Sequence, residues 1–412
     1  MEMANNIRLS VVAQDSIDSC WAKATCGRQV KSLMRCMAIV ILILSGCLVA
    51  DRSAVADPKE VELELVQCLQ SRDLHGINRM VISKDGKFLY AAAWMAGRLS
   101  VYARSEDGKL ALVKHVEIPK LLEGVIKLKL NRDESKLVAI CLSSSTLLLF
   151  RRDATSGLLQ PDGFSRDNLG WATCCEFSPD SQQVYVGDSG STAAGPGAPS
   201  SFSVMQITKT GGLRSIQRLQ DECLSGVRDI YFEPRGESGY LACLKSDSIV
   251  VLDRNPNDGS VKIRQVLQHG KNGIGGLDGV CSLVMNRAGT RLFTVSGRRD
   301  GVNAVCVFAR EEDGSLTLER ELVGVPNFNG GNHIAVTEDE GTIFITGSET
   351  SSLAVITNDK DLGVWKIQRV LQNSNNLNIA GASGLTLSPD QKFLYVAAEL
   401  GDAITTFRLI RK

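Results

Sequence analysis

The chain ends on SPDQKFLYVAAELGDAITTFRLIRK, residues 388–412. Ser388, Pro389 and Asp390 are residues that open a type I turn. Phe393–Ala397 and Ala403–Leu409 then have the aromatic and β-branched content of strands. Upstream, Leu385 and Leu387 alternate with polar neighbours and supply a strand leading into the turn. Three strands are present here, whereas earlier copies of the pattern continue into a fourth.

Those copies appear when the Ser388 position is taken as an anchor. Ser83, Asn131, Ser178, Glu233, Asn286, Thr337 and Ser388 head turns of the same kind and stand 47 to 55 residues apart. Apolar residues sit three and one places before each anchor: Met80/Ile82, Leu128/Leu130, Cys175/Phe177, Ile230/Phe232, Leu283/Met285, Ile334/Val336 and Leu385/Leu387. After the turn come a second strand such as KFLYAAA, a third such as LSVYAR or IVVLDR, and a fourth such as VKIRQVLQ or VWKIQRVLQ. Four antiparallel strands, repeated seven times at this period, define an all-β, seven-bladed β-propeller. The segment VELELVQCLQ, residues 61–70, matches the fourth-strand copies but has no preceding strands of its own. It is predicted to pair onto Phe407–Ile410, complete the last blade and close the ring, so that residues 57–412 form one domain. The longest insertion, residues 187–201, is a Gly/Ala/Pro/Ser surface loop expected to move.

Composition agrees with a globular domain. Of 412 residues, 43% are hydrophobic, and Lys+Arg equals Asp+Glu at 46 each, so no overall charge draws the chain to nucleic acid or an anionic membrane. The N-terminus differs. Arg28, Lys31 and Arg35 precede the apolar run 37–46, which has the form of an export signal and is short for a bilayer span. Cleavage after Ala56 fits the small-x-small rule, and Leu44-Ser45-Gly46-Cys47 resembles a lipobox whose cysteine would be acylated. Residues 1–56 are therefore set apart from the fold. The expected location is the periplasm, the cell envelope through a lipid anchor at Cys47, or the medium. Of twelve cysteines, Cys20, Cys26, Cys36 and Cys47 lie in that segment. No C-x-x-C and no Cys/His cluster at metal spacing occurs, so neither a metal nor another cofactor is expected. Cys174 and Cys175, adjacent on a strand, should point to opposite sheet faces.

A ligand site should combine the starts of the first strands with the loops after the second strands, at one mouth of the channel. Four places before the anchors stand Arg79, Lys127, Cys174, Asp229, Ser282, His333 and Gly384, and one place earlier Asn78, Ile126, Thr173, Arg228, Cys281, Asn332 and Ser383. Arg79, Lys127 and Arg228, with Asn332 and the loop residue His75, would hold an anionic ligand, while Asp229 and His333 offer a carboxylate and an imidazole. Trp94 and Arg98 on one loop, and Arg298, Arg299 and Asp300 on another, would widen that surface. The glycine-rich QHGKNGIGGLDG, residues 268–279, leads into a strand rather than a helix and lacks the helix N-terminus of a phosphate loop.

The units SKDGKFLYAAAWMAGRLSVYARSEDGKLALV and SPDQKFLYVAAELGDAITTFRL resemble the lactonase family of seven-bladed propellers, which includes propeller-type 6-phosphogluconolactonase and the carboxymuconate-lactonizing enzyme. The resemblance extends over all seven units and implies active residues in patterns resembling P-H-S in a middle blade and P-R-H, followed by a Glu, in the next. At the first place this sequence has Ala172-Thr173-Cys174, so the His is missing. At the second it has Val227-Arg228-Asp229, where the Arg is kept, and the Glu place falls near Lys245. His333 occupies the equivalent His position of another blade. Two functions follow as expectations. One is an exported, monomeric module binding a small anionic ligand or an envelope protein at its mouth. The other is a lactone hydrolase or lactonizing enzyme using Arg228 and Arg79 for the anion and His333 or Asp229 as base. A redox propeller is disfavoured, because no Cys-x-x-Cys-His is present.

Overall fold

The computed structural model describes residues 60–167, 169–190, 199–297, 303–359 and 364–411. The export signal, the cleavage site after Ala56, Cys47, residues 191–198 of the insertion, and Arg298, Arg299 and Asp300 lie outside the described residues.

Seven four-stranded antiparallel sheets follow one another as blades 1 to 7. Blades 1 to 6 comprise residues 77–116, 125–165, 172–219, 227–268, 280–323 and 331–372, and blade 7 comprises 382–411 together with 61–70. The first strand of each blade packs against the first strands of its two neighbours, and Ala382–Leu387 of blade 7 meets Ile77–Ile82 of blade 1, so the ring is closed. Seven apolar clusters fill the seven seams between blades. Cys174 belongs to the cluster shared with blade 4 and Cys175 to the one shared with blade 2, so the two thiols do face opposite ways. All eight cysteines among the described residues are free thiols.

The anchor position works through its side chain. Ser83 Oγ accepts from the Phe88 amide at 3.0 Å, Asn131 Oδ1 from Lys136 at 2.8 Å, and Ser178 Oγ from Gln183 at 2.9 Å. Asn286, Thr337 and Ser388 repeat this bond, and Glu233 spans its turn with one carboxylate oxygen on Arg235 N and the other on Glu237 N. A short polar side chain thus satisfies amides that the turn would leave buried and unpaired. The third residue after the anchor has positive φ in all seven blades. It is glycine at Gly86, Gly236 and Gly289, and Glu134, Ser181, Glu340 and Gln391 elsewhere.

Two further devices join blades side by side. In four seams a tyrosine of the second strand donates to a glycine carbonyl of the next blade and accepts from an arginine of that blade. The sets are Tyr90/Gly157/Arg152, Tyr185/Gly259/Arg254, Tyr240/Gly314/Arg310 and Tyr395/Gly108/Arg104, with bonds of 2.6–2.9 Å. On the rim, an outer-strand glutamine bonds both backbone groups at the start of the next outer strand: Gln67 with Leu110, Gln217 with Val261, Gln265 with Leu316 and Gln368 with Val61.

Closure follows the predicted strategy and extends further than predicted. Val61–Gln70 pairs antiparallel with all of Ala403–Arg411, from Val61 opposite Arg411 to Gln70 opposite Ala403, with one bulge between Leu65 and Gln67. Removing residues 57–70 would expose the edge of Ala403–Arg411 and undo two glutamine clamps. The full chain should melt in one cooperative transition, whereas the shortened protein should not and should associate in light scattering. Tyr185→Phe should cost about 1–3 kcal/mol in urea unfolding, because Arg254 Nε and the Gly259 carbonyl lose a shared buried partner.

Candidate functional site

In every blade, the pairing of first and second strands slips by one residue near the mouth. The slips fall between Ile77 and Arg79, Val125 and Lys127, Ala172 and Cys174, Val227 and Asp229, Val280 and Ser282, Gly331 and His333, and Ala382 and Leu385. A bulge of this kind bends the strand and re-aims its side chains. In blades 1 and 2 it brings two consecutive residues, Asn78 with Arg79 and Ile126 with Lys127, to one cavity, drawn from the two rows singled out in the sequence.

Around the mouth lies a cavity of about 120 Å³ lined by Asn78, Arg79, Trp94, Lys127, Trp171, Thr173, Arg228 and Glu399, among others. Three of the predicted ligand residues, Arg79, Lys127 and Arg228, meet there. Asn332 is joined to them, because Arg79 Nη2 donates to its Oδ1 at 2.9 Å. Arg79 Nη1 donates to the Asn78 carbonyl at 3.0 Å, while its buried Nε has no partner among the described residues. Burial, and next the guanidinium of Arg228, press the Arg79 pKa below its ordinary value. Arg228 is half-buried and makes no hydrogen bond or ion pair among the described residues. Glu399 is the carboxylate of the lining, held by Trp94 Nε1 at 3.0 Å and Asn78 Nδ2 at 2.9 Å.

The two predicted bases, Asp229 and His333, are not among the residues that line this cavity, whereas Arg228 is. Asp229 accepts from Lys127 Nζ at 2.9 Å through Oδ1, and from Ser282 Oγ at 2.9 Å and the Leu283 amide at 3.2 Å through Oδ2. Burial works to raise its pKa, and Lys127 and Lys129 more than cancel that, so the carboxyl stays well below its usual range. Burial likewise lowers the Lys127 pKa, with Asp229 opposing and Arg79 adding to the shift. His333 Nδ1 accepts from the Leu385 amide at 3.3 Å, which leaves the proton of the neutral ring on Nε2. Burial, with Arg79 and Lys127 beside it, holds the imidazole neutral, well below its ordinary pKa.

Other candidates fall outside this group. His75 pairs with Asp402 at 3.0 Å in an exposed loop. Arg98 is taken up by Asp73 and Glu117, away from the cavity that Trp94 lines. Within the glycine-rich segment, Gly275 and Gly276 amides bind a protein carboxylate, Glu321 Oε1, at 2.9 and 3.0 Å. Trp171 and Glu399 escaped the sequence analysis. Glu399 sits in the loop after a second strand, the place already marked for site residues, but no motif distinguishes it there. Trp171 directly precedes a first strand.

A closed seven-bladed ring with a cationic, tryptophan-flanked mouth is the class these features define. Over residues 56–177 and 299–412 the sequence matches the Lactonase family of 7-bladed β-propellers, and the chain belongs to that family. No curated protein matches the sequence. Among solved structures, the periplasmic gluconolactonase PpgL of Pseudomonas aeruginosa is similar at 16% identity and TM-score 0.60, covering 83% of this chain and 92% of that one. A candidate 6-phosphogluconolactonase of Bacteroides uniformis is similar at 17% identity and TM-score 0.59, covering 75% and 88%. Hydrazine synthase of Kuenenia stuttgartiensis is similar at 16% identity and TM-score 0.59, covering 83% and 97%. At these identities the likeness is one of fold. The stretch between the two family matches contains Arg228, which keeps the pattern implied by the resemblance, and Asp229 and Lys245, where the sequence departs from it.

Both Asp229 and His333 have pKa values depressed by the fold, so each adds stability above its unfolded pKa that is lost as pH falls. For His333 the loss begins below about pH 6.5, and for Asp229 below about pH 4. His333→Gln should flatten the fall in stability between neutral and mildly acid pH, read as Tm against pH. Asp229→Asn leaves Lys127 buried without a counter-charge and should cost about 3–5 kcal/mol at neutral pH, measured by urea unfolding.

Proposed function

We propose that the protein is an exported binding propeller whose channel mouth takes the carboxylate or phosphate of a small, ring- or polyol-bearing anion. The observation that carries this reading is Arg228, unpaired among the described residues, beside Arg79, whose buried Nε also lacks a partner. Two guanidiniums with no carboxylate of the described residues hydrogen-bonded to either favour an incoming anion, which would accept hydrogen bonds from both. Trp94 and Trp171 offer apolar faces for the ring of such a ligand. A cavity of about 120 Å³ suits the anionic head and one edge of the ring. Export rests on the basic and apolar pattern before residue 57, and the anchor on Cys47.

Binding is favoured over turnover by the state of the candidate bases. A general base needs a lone pair within reach of a proton on the substrate or on water. Both Asp229 oxygens are occupied, and the basic nitrogen of His333 is turned to the Leu385 amide. One observation favours the second reading, a lactone hydrolase: Glu399 lines the cavity that Arg228 also lines, so a carboxylate lies within the site.

The test uses the full chain with gluconate, 6-phosphogluconate and their lactones. Calorimetry should show saturable binding of an acid form. Arg228→Ala should weaken it by about 10- to 100-fold, as expected for one charge-assisted contact. Turnover of a lactone that Glu399→Gln abolishes would replace the binding reading by the hydrolase one. Absence of both binding and turnover would leave protein recognition at the mouth as the surviving function. Metabolic labelling with palmitate should mark the full chain and not Cys47→Ser if the lipobox is used.

A further inference from the structure

The seams between blades are built from one repeated position, and one seam breaks the rule. The position is the residue whose amide donates to the carbonyl just before the second strand of its blade. It is Arg104, Arg152, Ile207, Arg254, Arg310, Asn358 and Leu409 in blades 1 to 7. Across the seam it faces the second-strand residue seven places after the preceding blade's anchor. In four seams that residue is tyrosine, and the arginine bonds its hydroxyl. Arg152 also lies 5.8 Å from the Tyr90 ring centroid, and Arg104 and Arg254 reach Asp390 and Asp180 at 2.7 and 2.8 Å. In two seams the pair is apolar, and Ile207 with Val138 and Leu409 with Phe344 join the seam clusters.

The seam between blades 5 and 6 follows neither solution. Phe293 stands where tyrosine stands elsewhere, and Asn358 where arginine or an aliphatic residue stands. Asparagine is too short to cross and too polar to join an apolar cluster. Its Oδ1 is buried with no partner among the described residues. Beside it open two adjoining cavities of about 340 and 410 Å³, which share Val307, Glu319, Arg320 and Trp365. Phe293 and Trp365 meet edge to face, with centroids 6.1 Å apart. The first cavity is lined by the carboxylates of Glu319, Asp339 and Glu340 and by Arg291 and Arg320, and Arg411 Nη1 reaches Asp339 at 3.5 Å. Arg291 ties Glu319 to Glu340 at its rim.

We infer that this seam receives a guanidinium group from outside the ring. The walls keep two of the things the other seams use to hold an arginine, aromatic faces and a buried acceptor, while Glu319 and Glu340 are already bridged by Arg291. What is missing is a planar cation at the position of Asn358, next to Phe293 and the unpartnered oxygen. Asn358 Oδ1 would take one of its N–H groups, and the Phe293 and Trp365 rings would cover its face. The guanidinium could belong to a small metabolite or to an arginine of a polypeptide. The site is separate from the channel mouth and independent of the function proposed for it.

The experiment titrates the full chain with Nα-acetyl-L-arginine methylamide, its citrulline counterpart, and a hexapeptide with one internal arginine. Tryptophan fluorescence and calorimetry are the readouts. The arginine probe or the peptide should saturate, and citrulline should bind at least about tenfold more weakly, since it lacks the charge. Equal affinity of probe and peptide identifies a small guanidine, and tighter peptide binding identifies a polypeptide. Asn358→Arg should fill the seam from within, abolish binding and raise Tm. Should that variant fail to fold, Asn358→Asp serves instead and should tighten binding severalfold. Lack of saturation by both arginine ligands at millimolar concentration, citrulline binding as well as arginine, or binding unchanged in either variant would each overturn the inference.

Discussion

The pairing of Val61–Gln70 with Ala403–Arg411 is the contact on which everything else rests. A ring of sheets has no edge only when its ends meet, and here the meeting point lies inside a blade rather than between two blades. Strand pairing joins the two ends through a continuous ladder of hydrogen bonds, and Gln368 and Gln67 tie the added strand to blades 6 and 1. Opening the ring therefore means breaking a sheet and two rim clamps together. The channel residues come from all seven blades, so their mutual distances are fixed only while this closure holds.

Within the closed ring, the mouth is a problem of buried charge. Arg79, Lys127 and Asp229 are almost fully buried, and burying an ion costs several kcal/mol unless it is paired. Lys127 and Asp229 settle this between themselves, with Ser282 and the Leu283 amide completing the carboxylate. Arg79 settles it with neutral oxygens from Asn78 and Asn332, which satisfy hydrogen bonds without neutralising charge. The positive field left at the mouth comes from that asymmetry, and Arg228 adds to it.

The fold was legible because each blade repeats its alternation, so seven weak signals reinforced one another. The chain segment that closes the ring was legible for the same reason: VELELVQCLQ matches VKIRQVLQ. The site was legible as two rows of residues but not as a set of roles. The bulge that brings Asn78 and Arg79, or Ile126 and Lys127, to the channel together depends on the pairing of two strands, and no single strand announces it. The fates of Asp229 and His333 depended on Ser282, Leu283 and Leu385, which belong to the next blade in each case. Likewise the tyrosine, arginine and glycine of the seams each recur in the sequence, but their meeting across two blades is a fact of the ring.

Repetition also explains why exceptions carry information in this protein. A repeat supplies its own controls, since each position is seen seven times in nearly the same surroundings. Asp229 departs from its row by being a carboxylate among cations and neutral groups, and it is the residue that neutralises Lys127. Asn358 departs from its row by being short and polar, and it is the residue whose oxygen is left without a partner. In the first case Lys127 of blade 2 and Ser282 of blade 5 compensate for the departure. In the second none of the described residues does, and a guest from outside would supply the missing donor.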